Sequence, residues 1–198
     1  ARSADVAPLL RLARLPDGAY FVPGNHEYYN TEGRGGGRAE ALRWTEWWAS
    51  QGVRSLNNTS TLLPLHGKPI LRLAGVDDPL GSPNLTQALG IGGSLPVVLA
   101  AHRPTPHVHL ASQFGVALQL SGHTHGGQVW PVHLLASAAS DGFLSGLYAV
   151  GPTQLYVGDG TIGSYVTRLR LFTRSEITRV VLRAMPVEPR CAWRPARA

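Results

Sequence analysis

The sequence predicts an α/β sandwich. Short apolar runs, β-branched in part, alternate with helix-length segments early in the chain and cluster late, which excludes an all-α or all-β architecture. Apolar residues make up 43% of the 198 residues and charged residues 15%, enough apolar surface to bury one core and too little charge for global disorder. The longest apolar windows, such as residues 96–101, fall far short of the ~18 residues of a membrane helix and suit buried strands.

Residues 4–15 carry Val6, Leu9, Leu10 and Ala13 at the spacing of an amphipathic helix, which Pro16-Asp17-Gly18 stops. Residues 19–22 read as a short buried strand running into Pro23-Gly24, and 31–37 as a glycine-rich loop. Residues 38–51 read as a helix, with Leu42, Trp44, Trp47 and Trp48 along it and Gly52 at its C-terminal end. The tryptophans form one packed face; a membrane-interface belt is the minority alternative. Strands follow at 59–65 and 70–76, linked by the turn formers Asn57-Asn58 and His66-Gly67. Residues 82–89 and 106–114 read as helices, and 96–101 and 116–120 as buried strands. The last strands are placed at 147–150, 154–157 and 177–182. Three prolines and three arginines make residues 186–198 a loose basic tail on a domain spanning 1–185.

The net charge is +6, and Lys68 is the only lysine. The arginine excess reflects either a GC-rich coding sequence or a basic surface. Arg168, Arg170, Arg174, Arg179 and Arg183 read as a solvated sheet face. Aromatic and basic residues do not interleave as they do in single-strand binders, so nucleic acid is not an expected partner. The lone Cys191 excludes an internal disulfide framework and a cysteine-based zinc site. With one methionine, Met185, and alanine at position 1, the chain reads as processed or as a piece of a longer protein.

Four of the eight histidines share one local grammar: each follows a short apolar strand and opens a loop. His26 lies in Gly24-Asn25-His26-Glu27, His102 in Ala101-His102-Arg103-Pro104, and His123 and His125 in Gly122-His123-Thr124-His125-Gly126-Gly127. Loops at the ends of neighbouring strands converge at one sheet edge, where open α/β proteins place their sites. Neutral imidazoles bind first-row divalent metals, and the Asn25 carboxamide adds a hard oxygen donor. In an extended chain, His123 and His125 project to one side and hold one metal or bridge to two. His66, His107 and His109 are expected at the surface, and so is His133, with a place near the cleft as its alternative.

These motifs, together with Leu73–Pro79, Leu118–Pro131, Gly146-Leu147-Tyr148 and Thr153–Val157, resemble the calcineurin-like metallophosphoesterases over about residues 5–182. More narrowly, they resemble bacterial exported or membrane-attached members, similar to transmembrane proteins carrying such a domain. The resemblance implies a four-layer α/β/β/α sandwich and two divalent metal ions, manganese, iron or zinc. It implies that Asn25, His102 and His123 bind one metal and His125 the other. His26 would stabilise the phosphoryl group and help protonate the leaving oxygen, while a metal-activated hydroxide attacks a phosphate mono- or diester. Glu27 would orient His26 or stand as a loop carboxylate, and Arg103 would hold phosphate. Trp130 would wall the cleft.

The family's Asp-x-His and Gly-Asp-x-x-Asp motifs, which would precede Gly-Asn-His-Glu, are not found in this sequence. The expectation is a chain beginning just after the bridging aspartate, its N-terminal strands missing, that by itself assembles no two-metal centre and is inactive. Residues 158–165 depart from the Arg- and Gly-rich loop of relatives, which bears on substrate preference. Membrane-associated or extracytoplasmic placement follows from the resemblance, with a membrane surface as a second partner. The competing reading is a non-catalytic basic module that binds anionic lipid or nucleic acid.

Overall fold

The computed structural model describes residues 10, 15, 18–29, 36–90, 93–129, 131, 133–161, 169–171 and 173–183. The helix expected at 4–15, most of the glycine-rich loop at 31–37, Trp130, much of 158–165 and the tail lie outside the described residues.

Strand β1 (Ala19–Phe21) pairs in parallel with β2 (Val53–Ser55). Between them run a four-residue helix α1 (Asn25–Tyr28) and the longer α2 (Arg38–Ser50). Six further strands form one sheet: β3 (Thr59–Leu65), β4 (Lys68–Gly75), β5 (Val97–Ala100), β6 (Leu118–Ser121), β7 (Gly146–Val150) and β8 (Thr153–Val157). Their order is β3-β4-β5-β6-β8-β7. The four central strands are parallel, and β3 and β7 close the edges antiparallel. Helices α3 (Leu85–Leu89) and α4 (His107–Gln113) precede β5 and β6, and α5 (His133–Ala139) precedes β7.

Parallel strands buried on both faces need apolar residues on both, which is why β5 and β6 read as continuous apolar runs. On one face, Ala74, Val76, Leu99 and Ala101 pack with Leu85, Ala88 and Ala111 of α3 and α4. A second cluster joins Val108 of α4 to Leu155 and Val157 of β8. On the other face, a Cβ on Gly75 would lie 2.2 Å from Leu56 O and 2.8 Å from Val22 Cγ1, so the two sheets meet there at backbone distance. Successive strand residues point to opposite sides. Val22 therefore faces β4, and Phe21 faces Trp48 of α2 with ring centroids 5.5 Å apart. The layers run helix, sheet, sheet, helix, in the α/β class the sequence predicted.

Three expectations change. Residues 177–182 form no strand with any described residue: ladder hydrogen bonds define a strand, and among the described residues none runs beside this segment. Its apolar side chains stand exposed, Ile177 at 72% and Val181 at 60%. His107 is buried at 4% exposure, not on the surface. The third is local to His123–His125, where the backbone is not extended: His123 and His125 take φ values of 72° and 52°.

Candidate metal centre

The C-terminal ends of β4, β5, β6 and β8 lie at one edge of the large sheet, and the loop after β1 reaches the same edge. Asn25 opens α1. Gly24 O accepts the Glu27 N–H at 3.2 Å, and Gly24 N–H donates to Glu27 Oε2 at 2.7 Å, so this one turn is closed at its start. Gly24 has a second duty. A Cβ there would stand 2.7 Å from the His102 ring, so only glycine lets that imidazole reach Asn25.

His102 leaves β5, and its carbonyl accepts the Gly122 N–H at 3.0 Å, which ties the His102 loop to the His123 loop. In the latter, Gly126 and Gly127 share positive φ with His123 and His125, a conformation non-glycine residues adopt only when their surroundings hold them. Thr124, buried, holds the loop by donating from Oγ1 to Leu144 O at 2.6 Å. The left-handed turn separates the two rings. His123 swings toward Asn25 and His102, whereas His125 Nδ1 stands 3.4 Å from Arg170 Nη2.

Three atoms converge: Asn25 Oδ1 is 2.8 Å from His102 Nε2 and 3.1 Å from His123 Nδ1, and the two nitrogens are 3.1 Å apart. Metal–nitrogen bonds of about 2.1 Å put neighbouring donors of an octahedral ion about 3 Å apart. The triangle therefore has the size of one coordination face, and its one amide oxygen and two imidazoles are a donor set that first-row divalent ions accept. Burial, and then the neighbouring His123, lower the His102 pKa to about 3; burial, and then Arg103, lower that of His123 to about 4. Both rings are thus neutral at pH 7, the form that binds metal. Among the described residues no group of three His, Cys, Asp or Glu side chains comes together; the triangle is completed by an asparagine.

The other predicted residues are placed as follows. His26 follows Asn25, half-buried, edge-on to Tyr29 at 5.3 Å between ring centroids, and burial lowers its pKa. Glu27 turns back onto Gly24 N–H, and burial raises its pKa. Arg103 is clamped by Asp78, its Nε and Nη2 donating at 2.9 and 3.0 Å. His66 is exposed in its turn, and His109 pairs with Asp141 at the surface at 3.3 Å. His133 is half-buried against Gly127 of the His123 loop.

Sequence reading missed two features here. The carboxylate of Asp159 fills the space where a Cβ on Gly126 would be, 2.8 Å away, and nothing in its local sequence signals this. Arg170 donates to the carbonyls of Asp159 and Arg174, at 2.7 and 2.8 Å, beside His125. Its spacing suggested only a solvated face.

Comparison with known proteins gives the family. Residues 3–127 match the model of the calcineurin-like phosphoesterases, and the chain belongs to that family. It is 36% identical to a transmembrane protein with metallophosphoesterase domain from Danio rerio, over 84% of this chain and 39% of that protein. It is 33% identical to an uncharacterized metallophosphoesterase of Helicobacter pylori (85% and 43%) and 30% identical to the uncharacterized metallophosphoesterase YkuE of Bacillus subtilis (90% and 61%). The chain spans about two fifths of the length of the first two. No solved structure matches it significantly. No described helix is long and apolar enough to cross a membrane.

Proposed function

We propose that the protein is a metal-dependent phosphoester hydrolase whose metal is held by Asn25, His102 and His123. The convergence of their three donor atoms within 3.1 Å of one another carries this reading. Divalent ions, when bound, supply Lewis acidity toward a phosphoryl oxygen and toward water. The chain's own residues do the rest. Asn25 contributes an oxygen donor fixed by α1 and by the bond from its Nδ2 to Tyr29 Oη at 3.2 Å. Gly24 leaves room for His102. His26, next to the centre, offers a ring N–H to a phosphoryl oxygen, and as the imidazolium it gives one proton to the departing oxygen and returns to the neutral ring. Arg103, committed to Asp78, positions the His102 loop rather than gripping phosphate.

His125 stands apart from the triangle and serves a second metal in this reading. The Asp-x-His and Gly-Asp-x-x-Asp motifs are not among these 198 residues. In this reading the 198-residue chain holds one metal, at the triangle, and not two, and is inactive by itself. The substrate is a phosphate mono- or diester. The membrane setting of the relatives extends to this protein as a proposal, and so does the division into a domain at 1–185 and a basic tail at 186–198.

The test is hydrolysis of an aryl phosphate monoester and diester by the manganese- or zinc-loaded protein, in the 198-residue form and within the longest form its gene encodes. Activity that His123→Ala abolishes supports the reading. Inactivity of every form, or activity indifferent to His123→Ala, overturns it. Salt-sensitive binding of anionic vesicles that survives loss of all four motif histidines would favour the basic-module alternative.

A further inference from the structure

The Asp77-Asp78 pair lies just past the end of β4, both residues buried, at 5% and 1% exposure. Two adjacent buried carboxylates repel and are costly to desolvate unless each is fully hydrogen-bonded. Here each is, by different partners. Asp77 Oδ1 accepts the Tyr28 O–H at 2.5 Å and the Asp78 N–H at 2.9 Å, and its Oδ2 accepts the Ser82 N–H at 3.0 Å. Asp78 receives the two-pronged fork of Arg103 at 2.9 and 3.0 Å, and the Leu80 N–H at 2.9 Å on Oδ1.

The partners' positions in the chain matter. Tyr28 ends the single helical turn that Asn25 begins, and Arg103 directly follows His102. One dipeptide therefore grips the residue three beyond Asn25 and the residue next to His102, whose donor atoms sit 2.8 Å apart. Arg103 O in turn accepts the Ser121 Oγ–H at 3.3 Å, which extends the grip to the strand leading into His123. Gly81 closes over the pair: a Cβ there would lie 2.1 Å from Tyr28 Oη and 2.3 Å from Asp77 Oδ2. A buried ion pair adds little net stability, so its yield here is geometric.

We propose that Asp77-Asp78 is a positioning dipeptide that sets the metal affinity of the centre, placing Asn25 through Tyr28 and His102 through Arg103. This rests on the metal-centre reading above. Tyr28→Phe removes one oxygen; Arg103→Lys keeps the charge and loses the fork. The experiment titrates the 198-residue chain with Mn²⁺, by calorimetry well below the melting temperature, beside the thermal melt of the metal-free chain, for wild type, both variants and His123→Ala. The expected result is a Kd raised roughly 10- to 100-fold in each variant, the usual cost of an outer-shell loss, while both still melt cooperatively. A lowered melting temperature with Kd within about twofold of wild type makes the clamp merely structural and overturns the inference, leaving the metal centre intact. Wild type without Mn²⁺ affinity, or His123→Ala binding as wild type does, removes the metal centre and this inference with it.

Discussion

Nδ1 of His123 and Nε2 of His102 face each other at 3.1 Å, with Asn25 Oδ1 within reach of both. The rings meet edge to face, 5.0 Å between centroids and 72° between planes, so their lone pairs converge rather than stack. Two neutral imidazoles share one proton in such a contact at best; a cation between them satisfies both.

His102→Ala and His123→Ala each remove one donor. The expected outcome is a loss of Mn²⁺ affinity of at least about 100-fold, beyond the cost of losing an outer-shell partner. Calorimetric titration of each variant checks it.

His26→Gln should behave differently. It removes a proton donor and no metal donor, so metal affinity stays and kcat falls by about 10²- to 10⁴-fold, the range of general acid catalysis. An alkyl phosphate, with a basic leaving oxygen, should suffer more than an aryl one. Equal losses for both substrates would remove His26 from leaving-group protonation.

Gly24→Ala places a methyl 2.7 Å from the His102 ring. Overpacking of this kind costs about 1–3 kcal/mol. It should also weaken metal binding, because the ring can yield only by moving off Asn25. Urea unfolding and Mn²⁺ titration of the same variant read the two effects separately.

His107 gives a pH dependence. Burial lowers its pKa below 6.5, with the Asp78 carboxylate opposing. The unfolded chain thus takes up the proton first as pH falls, and stability is lost from about 6.5 downward to the folded-state pKa. Above 6.5 the ring is neutral in both states and contributes no slope. The difference between wild type and His107→Leu in urea unfolding of the metal-free chain, from pH 8 to 5, should shrink toward acid. A pH-independent difference would contradict it.

Most strands and the helices α2 and α4 were legible because their signals are local, whereas the three-residue β2 and the helix α5 were not expected. Apolar runs of four to eight residues predict buried strands, and β5, β6 and β8 fall within about two residues of the expected spans. Residues 177–182 carry the same pattern and form no ladder among the described residues, because pairing is a property of the neighbour and not of the segment. The candidate donor residues stood out from their glycine-flanked places at strand ends. Their directions did not: period-two reasoning put His123 and His125 on one side, and the left-handed backbone at both turns them apart. Arg103 was visible beside His102, but not that Asp78, 25 residues earlier, would claim its guanidinium. The burial of His107 was equally hidden, since its neighbours Asp77, Asp78 and Arg103 come from other parts of the chain and not from the helix itself.

The central claim is that His102 and His123 ligate the same ion. Electron spin-echo modulation of Mn²⁺ bound to the 198-residue chain tests it most directly, because each coordinated imidazole couples its nitrogen to the metal. The account predicts two coupled imidazole nitrogens in wild type and one in His123→Ala. A spectrum without imidazole coupling, or one unchanged by His123→Ala, would contradict it.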